Sequence, residues 1–132
     1  MVVRILLVAG AAALVALGLA RGHHHRACAA AGRDAFAVGL HRLPASAGDA
    51  VADRLEAQCR GAQQLADGVS AMVRGGAIAP AARLAAAAVR REPQRRDSWL
   101  ALASVRRAQH DPTGARRALD RARQLDPLAF RR

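Results

Sequence analysis

Hydrophobic positions along this chain recur at steps of three and four residues, the period of a helix that buries one face. The pattern opens with Met1 to Ala20, which is apolar on every side except at Arg4. Ala27 to Leu40 then reads as one helix, with Phe36 and Leu40 at helical spacing, and Pro44 breaks it. Ser46 or Asp49 is placed to cap the next helix, which ends near Cys59 or runs on to Arg74. Along it Val51, Leu55, Ala62, Leu65, Val69, Met72 and Val73 form an amphipathic stripe, and Gly75-Gly76 ends it. A further helix starts near Ala79, with Pro80 in its first turn, and stops before Pro93. Asp97 or Ser98 can cap a helix over Trp99–Gln109, Asp111 to Gly114 reads as a turn, and the last helix runs from Ala115 to Leu125, before Pro127. The fold class expected from this pattern is all-α.

Composition sharpens that reading. Apolar residues make up 52% of the chain but aromatics only 2%, so a core must come from thin, Ala-rich helices in close contact. Alanine is the best helix former and a poor strand former. The first segment has its own meaning. Its uncharged run from Ile5 to Ala20 is about 16 residues long, just under the roughly 17–25 that span a bilayer, and Arg4 is near enough to one end to snorkel. A signal peptide is the competing reading, with Gly18-Leu19-Ala20 as its cleavage site. Residues 1–20 are thus expected to be a transmembrane anchor or a cleaved signal. Residues 21–26 are expected to be a juxtamembrane His/Arg linker, 27–61 helices that cap the body, and 62–132 the body itself. Basic residues flank the apolar run on both sides, so charge does not orient it; short segments of this kind usually send the rest of the chain outward, and an extracytoplasmic body is expected.

That placement bears on the two cysteines, Cys28 and Cys59. In a reducing compartment such a pair is usually two buried thiols; outside the cytoplasm it is commonly one disulfide. A Cys28–Cys59 bond would close a loop of about 32 residues and contribute about 3–4 kcal/mol on the chain-entropy account. A redox-catalytic pair is disfavoured, because the spacing is not C-x-x-C.

Shifted against itself by 34 residues, the second half of the chain repeats: Pro93 falls on Pro127, Ala88 on Ala122, Ala81 on Ala115, Ser70 on Ser104 and Leu65 on Trp99. Helix pairs at this period mark stacked helical repeats. The stretch from Arg96 to Ala129 resembles the tetratricopeptide repeat family. Trp99 stands at the first large aromatic position, Leu102 and Ala103 at the large-then-small pair, Ala115, Leu119 and Ala122 at the positions where the second helix crosses the first, and Pro127 closes the unit. The unit before it, about 62–93, keeps Ala81, Ala88 and Pro93. It has Leu65 for the aromatic and Gly68 for a large apolar residue. Arg106 also departs from the family, which usually has an aromatic there.

The resemblance implies a non-catalytic protein–protein interaction scaffold whose ligand lies on the concave face of the first helix of each unit. On the matching positions that face is Gln63, Ala66, Ser70, Asp97, Leu100, Ser104 and Arg107. It lacks the basic and amide cluster by which some family members clamp a peptide carboxylate. The expected partner is another protein or peptide, with the membrane engaged through residues 1–20 and self-association an option.

Charge supplies the rival reading. The net charge is +11, and all 21 basic residues are Arg. Such a surface attracts anionic lipids or acidic envelope polymers. The scarcity of stacking aromatics argues against single-stranded nucleic acid. No phosphate loop, nucleophile elbow or metal-spaced Cys/His set is present, so neither an enzyme, a cofactor nor a metal is expected. His23, His24 and His25 are adjacent, and adjacent side chains seldom converge on one ion.

Overall fold

The computed structural model describes residues 2–130, with side chains at positions 14, 17–19 and 22–129. The described residues form six helices: α1 (Val2–Gly39), α2 (Gly48–Gln58), α3 (Ala62–Arg74), α4 (Ile78–Arg91), α5 (Arg96–Ala108) and α6 (Pro112–Leu125). Short 3-10 turns cover Ala45–Ala47 and Leu128–Phe130, and no strand occurs among the described residues. The fold is all-α, as the hydrophobic period requires.

Several boundaries differ from the expected ones, each for a local reason. Residues 21–26, expected as a linker, lie inside α1, which runs without a break from the apolar segment into the body. One glycine, Gly22, costs a helix only about 1 kcal/mol, and nothing else in Gly22-His-His-His-Arg26 opposes one. Of the two ends expected for the helix that starts near Ser46/Asp49, the nearer one is found: α2 stops at Gln58, and the stretch to Arg74 is a separate helix, α3. Cys59 turns extended (φ −96°, ψ 129°), and the chain re-enters helix at Ala62 after the extended Gly61. None of the expected caps of α2 and α5 is used: the N-caps are Ala47 and Arg95, neither with a side-chain bond. Asp111 is a true cap. Its carboxylate accepts from the Gly114 amide at 2.8 Å, so Pro112–Gly114 is the first turn of α6 rather than a loop before it.

The helices stack in order as three pairs. The last turns of α1 pack on α2 and α3, α2 on α4, α3 on α4 and α5, α4 on α5, and α5 on α6. All three pairs turn in the same way. His41, Gly76 and His110, 35 and 34 residues apart, have positive φ of 56°, 78° and 59°. The next amide in each case donates back five residues: Arg42 to the Ala37 carbonyl at 2.8 Å, Ala77 to Met72 at 3.0 Å, and Asp111 to Arg106 at 2.9 Å. The positive-φ residues donate three residues back, to Val38, Val73 and Arg107. This is the Schellman closure of a helix C-terminus, made three times. The period legible from Ala62 onward therefore extends to α1–α2. It is hidden there by a longer connection, residues 43–47, and by the lack of matching residues.

The core is one cluster running from Ala31 to Val105. Leu55, Leu65, Met72, Leu84, Val38, Val51, Val69 and Val105 fill it, with alanines between them that let the helices approach. Gly68, the odd residue of the weaker repeat, is explained by its neighbours. A methyl there would lie 2.7 Å from a Leu55 methyl and 3.2 Å from one of Leu84, so side chains from α2 and α4 already occupy that space.

The Cys28–Cys59 disulfide is present, with Cα atoms 4.8 Å apart. It joins α1 to the residue that ends α2, closing the first pair at the end opposite its turn. Arg91 of α4 reaches the same end and donates to the carbonyls of Glu56 and Cys59, groups the helix leaves without partners.

The expected membrane segment falls on residues 1–20. Met1 and most side chains up to Ala20 lie outside the described residues. Among the described residues, no helix is long and apolar enough to cross a membrane.

Candidate interaction surface

The residues expected to pack the repeats divide between core and connectors. Leu65, Ala81, Ala88, Ala103, Ala115 and Ala122 are buried, while Leu102 and Leu119 are half-buried. Pro93 and Pro127 stand exposed at the ends of their pairs. Trp99 is half-buried, and its indole N–H donates to the Pro93 carbonyl at 2.8 Å, tying the start of α5 to the connector from α4. Arg106 is exposed and leans on the turn, 3.8 Å from Asp111.

The residues expected on an open face lie on α3 and α5, which pack side by side. Their polar groups are largely spoken for within the chain. Gln63 donates to Asp67 at 3.0 Å and accepts from Arg95 at 3.2 Å. Ser70 and Ser104 donate to the carbonyls of Ala66 and Ala101 on their own helices. Asp97 is held by Arg96 at 3.0 Å. Ala66 is only 5% exposed and belongs to the core, so it offers a ligand almost no surface. Leu100 is half-buried, and Arg107 is the one exposed charge of the set.

Electrostatics across the stack follows one rule: every carboxylate is engaged. Each of the ten acidic side chains has an ion pair or hydrogen bond within the chain. Some of these bonds join successive pairs, and others close a pair on itself. Arg83 of α4 bridges Asp49 (2.8 Å) and Asp53 (3.0 Å), one turn apart on α2. Its hydrogen bonds to Asp53 and then Asp49 raise its pKa above the ordinary arginine value. Glu92 accepts from Arg95 and from the backbone amide of Ala62 at the start of α3, and these bonds, Arg95 first, hold its carboxyl below the ordinary range. Arg96 and Asp126 make the matching link one unit later, at 2.9 Å. Hydrogen bonding to Asp97 is the main reason the Arg96 guanidinium is raised.

All ten Asp and Glu side chains are thus engaged, while many arginines have no acidic partner among the described residues. A shallow cleft of about 220 Å³ lies beside the disulfide, lined by His24, His25, Cys28, Gln58, Arg60, Gly61 and Gln64. Among the described residues, no cluster of three or more His, Cys, Asp or Glu side chains is arranged to hold a metal ion.

The surface that sequence reasoning missed is on α1. Phe36 and Leu40, which set the helical spacing of that segment, are 50% and 60% exposed, and the buried face is instead Ala31, Ala35 and Val38. Spacing gave no signal for the choice, since Ala31, Ala35 and Val38 also step by four and three; the one cue was residue size, small alanines being what a close crossing with α3 needs. Comparisons with protein families, with curated proteins and with solved structures find no match to this chain.

Proposed function

We propose that this chain is a membrane-tethered, non-catalytic protein-interaction scaffold of the tetratricopeptide type, held in the cell envelope by residues 1–20. The observation that carries the reading is the threefold recurrence of one helix-pair closure, at His41, Gly76 and His110, together with the 34-residue similarity of 62–132. Stacked pairs of this kind present extended surfaces to protein partners rather than enclosed catalytic pockets. The Cys28–Cys59 bond supports an oxidising compartment and so an extracytoplasmic body. The continuity of α1 implies that an anchor over 1–20 holds the body directly, with no flexible link between them.

Thiol labelling in whole cells tests the placement. Labelling of both cysteines only after reduction supports an envelope location. Two thiols that react without reduction overturn it and return the body to a reducing compartment. A second reading, binding to anionic lipids or acidic polymers, is favoured by Arg116 and Arg117, both exposed on α6. It requires binding that collapses with salt and is abolished by R116E/R117E.

A further inference from the structure

We infer that the outward face of α1 is a docking ridge for an acidic amphipathic helix of a partner protein. The inference rests on the reading of the chain as an interaction protein but moves the contact from the α3–α5 surface to α1.

Arg26, Ala29, Arg33, Phe36 and Leu40 step along α1 by three and four residues, so they share one stripe. All five are exposed, on the side of the helix away from the core-facing Ala31, Ala35 and Val38. From Arg26 to Leu40 the stripe is about 21 Å long, some four turns. Apart from Leu14, Leu17 and Leu19 on the projecting part of α1 and Leu128 at the other end, Phe36 and Leu40 are the exposed large hydrophobics among the described residues. An ordinary solvated face would carry mixed charge instead.

The charge on the stripe identifies the partner. Arg26 and Arg33 make no hydrogen bond or ion pair among the described residues, and the nearest carboxylate on the helix, Asp34, is taken by Arg54 at 2.8 Å. All ten Asp and Glu side chains are engaged elsewhere, so the stripe offers its positive charge to a partner's carboxylates. A second copy of this chain would bring arginine against arginine, which disfavours self-pairing. A helix with apolar residues at three- and four-residue steps, flanked by Glu or Asp, matches the stripe in both period and charge: Phe36 and Leu40 anchor it, Ala29 allows close approach, and Arg26 and Arg33 pair with its flanks. A lipid surface fits less well. Phe36 stands about 24 Å along α1 from Ala20, so a bilayer reached by residues 1–20 lies well away from the two apolar anchors of the ridge.

The test uses the full chain in detergent micelles. The probe is a labelled synthetic helix of about 20 residues with Leu at the 3-4 steps and Glu on the flanks; the comparator has Lys in place of Glu. The expected result is binding of the Glu peptide, weakened about tenfold or more by F36A/L40A. R26E/R33E should reverse the preference to the Lys peptide, and S70A/R107A should leave binding unchanged. Circular dichroism and an intact Cys28–Cys59 bond establish that each variant is folded. Absence of binding, equal binding of both peptides, or indifference to R26E/R33E overturns the ridge. So does displacement of the peptide from the ridge by phosphatidylglycerol vesicles, which would assign it to lipid. Loss of the Glu peptide with S70A/R107A but not with the α1 variants overturns the ridge while leaving the interaction reading standing.

Discussion

A methyl group added at Gly39 would lie 2.7 Å from the carbonyl oxygen of Ala71. The C-terminal ends of α1 and α3 thus meet backbone to backbone, and Gly75 answers Gly39 by lying against the backbone of Val38. Two helices come this close only where side chains are absent. The contact seats the first helix pair on the second at the level of their turns, as the disulfide holds the first pair together at the far end.

Gly39→Ala is therefore expected to destabilise the chain by about 1–3 kcal/mol, because the obstructing atoms are main chain and cannot rotate away. Urea unfolding would register this as a lower midpoint at unchanged slope. Gly32→Ala in the same helix is the control. Nothing lies within 4 Å of a methyl there, and the substitution should stabilise by up to about 1 kcal/mol through helix propensity.

Removing the disulfide with C28S/C59S is expected to cost about 3–4 kcal/mol for a loop with a sequence separation of 31. A reductant should lower the wild-type midpoint by the same amount and leave the double variant unmoved. Hydrogen exchange should quicken first in α2, whose C-terminal end is fastened by Cys59 and by the Arg91 bonds.

Ser98 is fully buried, and its hydroxyl has no hydrogen-bond partner among the described residues. A polar group buried without a partner costs about 1–3 kcal/mol. Ser98→Ala is expected to raise stability by about 1 kcal/mol, read from thermal or urea melts, with no change in binding.

Glu92 has a definite pH signature. Its folded carboxyl lies below the ordinary value near 4.5, through the Arg95 bond first and the Ala62 amide second. The stability it supplies is complete above that ordinary value and is lost as pH falls through the lowered folded one. Wild type should exceed Glu92→Gln in stability at neutral pH, and the gap should close as pH drops below about 4.5. A gap that is constant with pH would show that the carboxylate is not what holds the start of α3.

Much of this architecture is local and was legible in the residues. The all-α class follows from Ala content and the three-four period. The stops at Gly75-Gly76, Pro93 and Pro127 follow from backbone chemistry, and the pairing of Cys28 with Cys59 follows from there being only two cysteines once an oxidising compartment is assumed. The 34-residue shift was legible from Ala62 on because residue identities recur there.

The tertiary structure alone decided the rest. That α1 and α2 make a third pair rests on the turn at His41, whose positive φ no residue pattern announces. The face of α1 that is buried could not be read from spacing, because Ala31, Ala35 and Val38 share their period with Phe36 and Leu40, and only contact with α3 selects between them. The break at Cys59 comes from folding α2 back between α1 and α4. Some ion pairs, such as Arg95 with Glu92, are local, but others join residues far apart in the chain, such as Arg83 with Asp49, 34 residues away. Periodicity is a property of a helix by itself, and so it is written locally; the choice of face and of charge partner is a property of what lies alongside, which only the packed chain supplies.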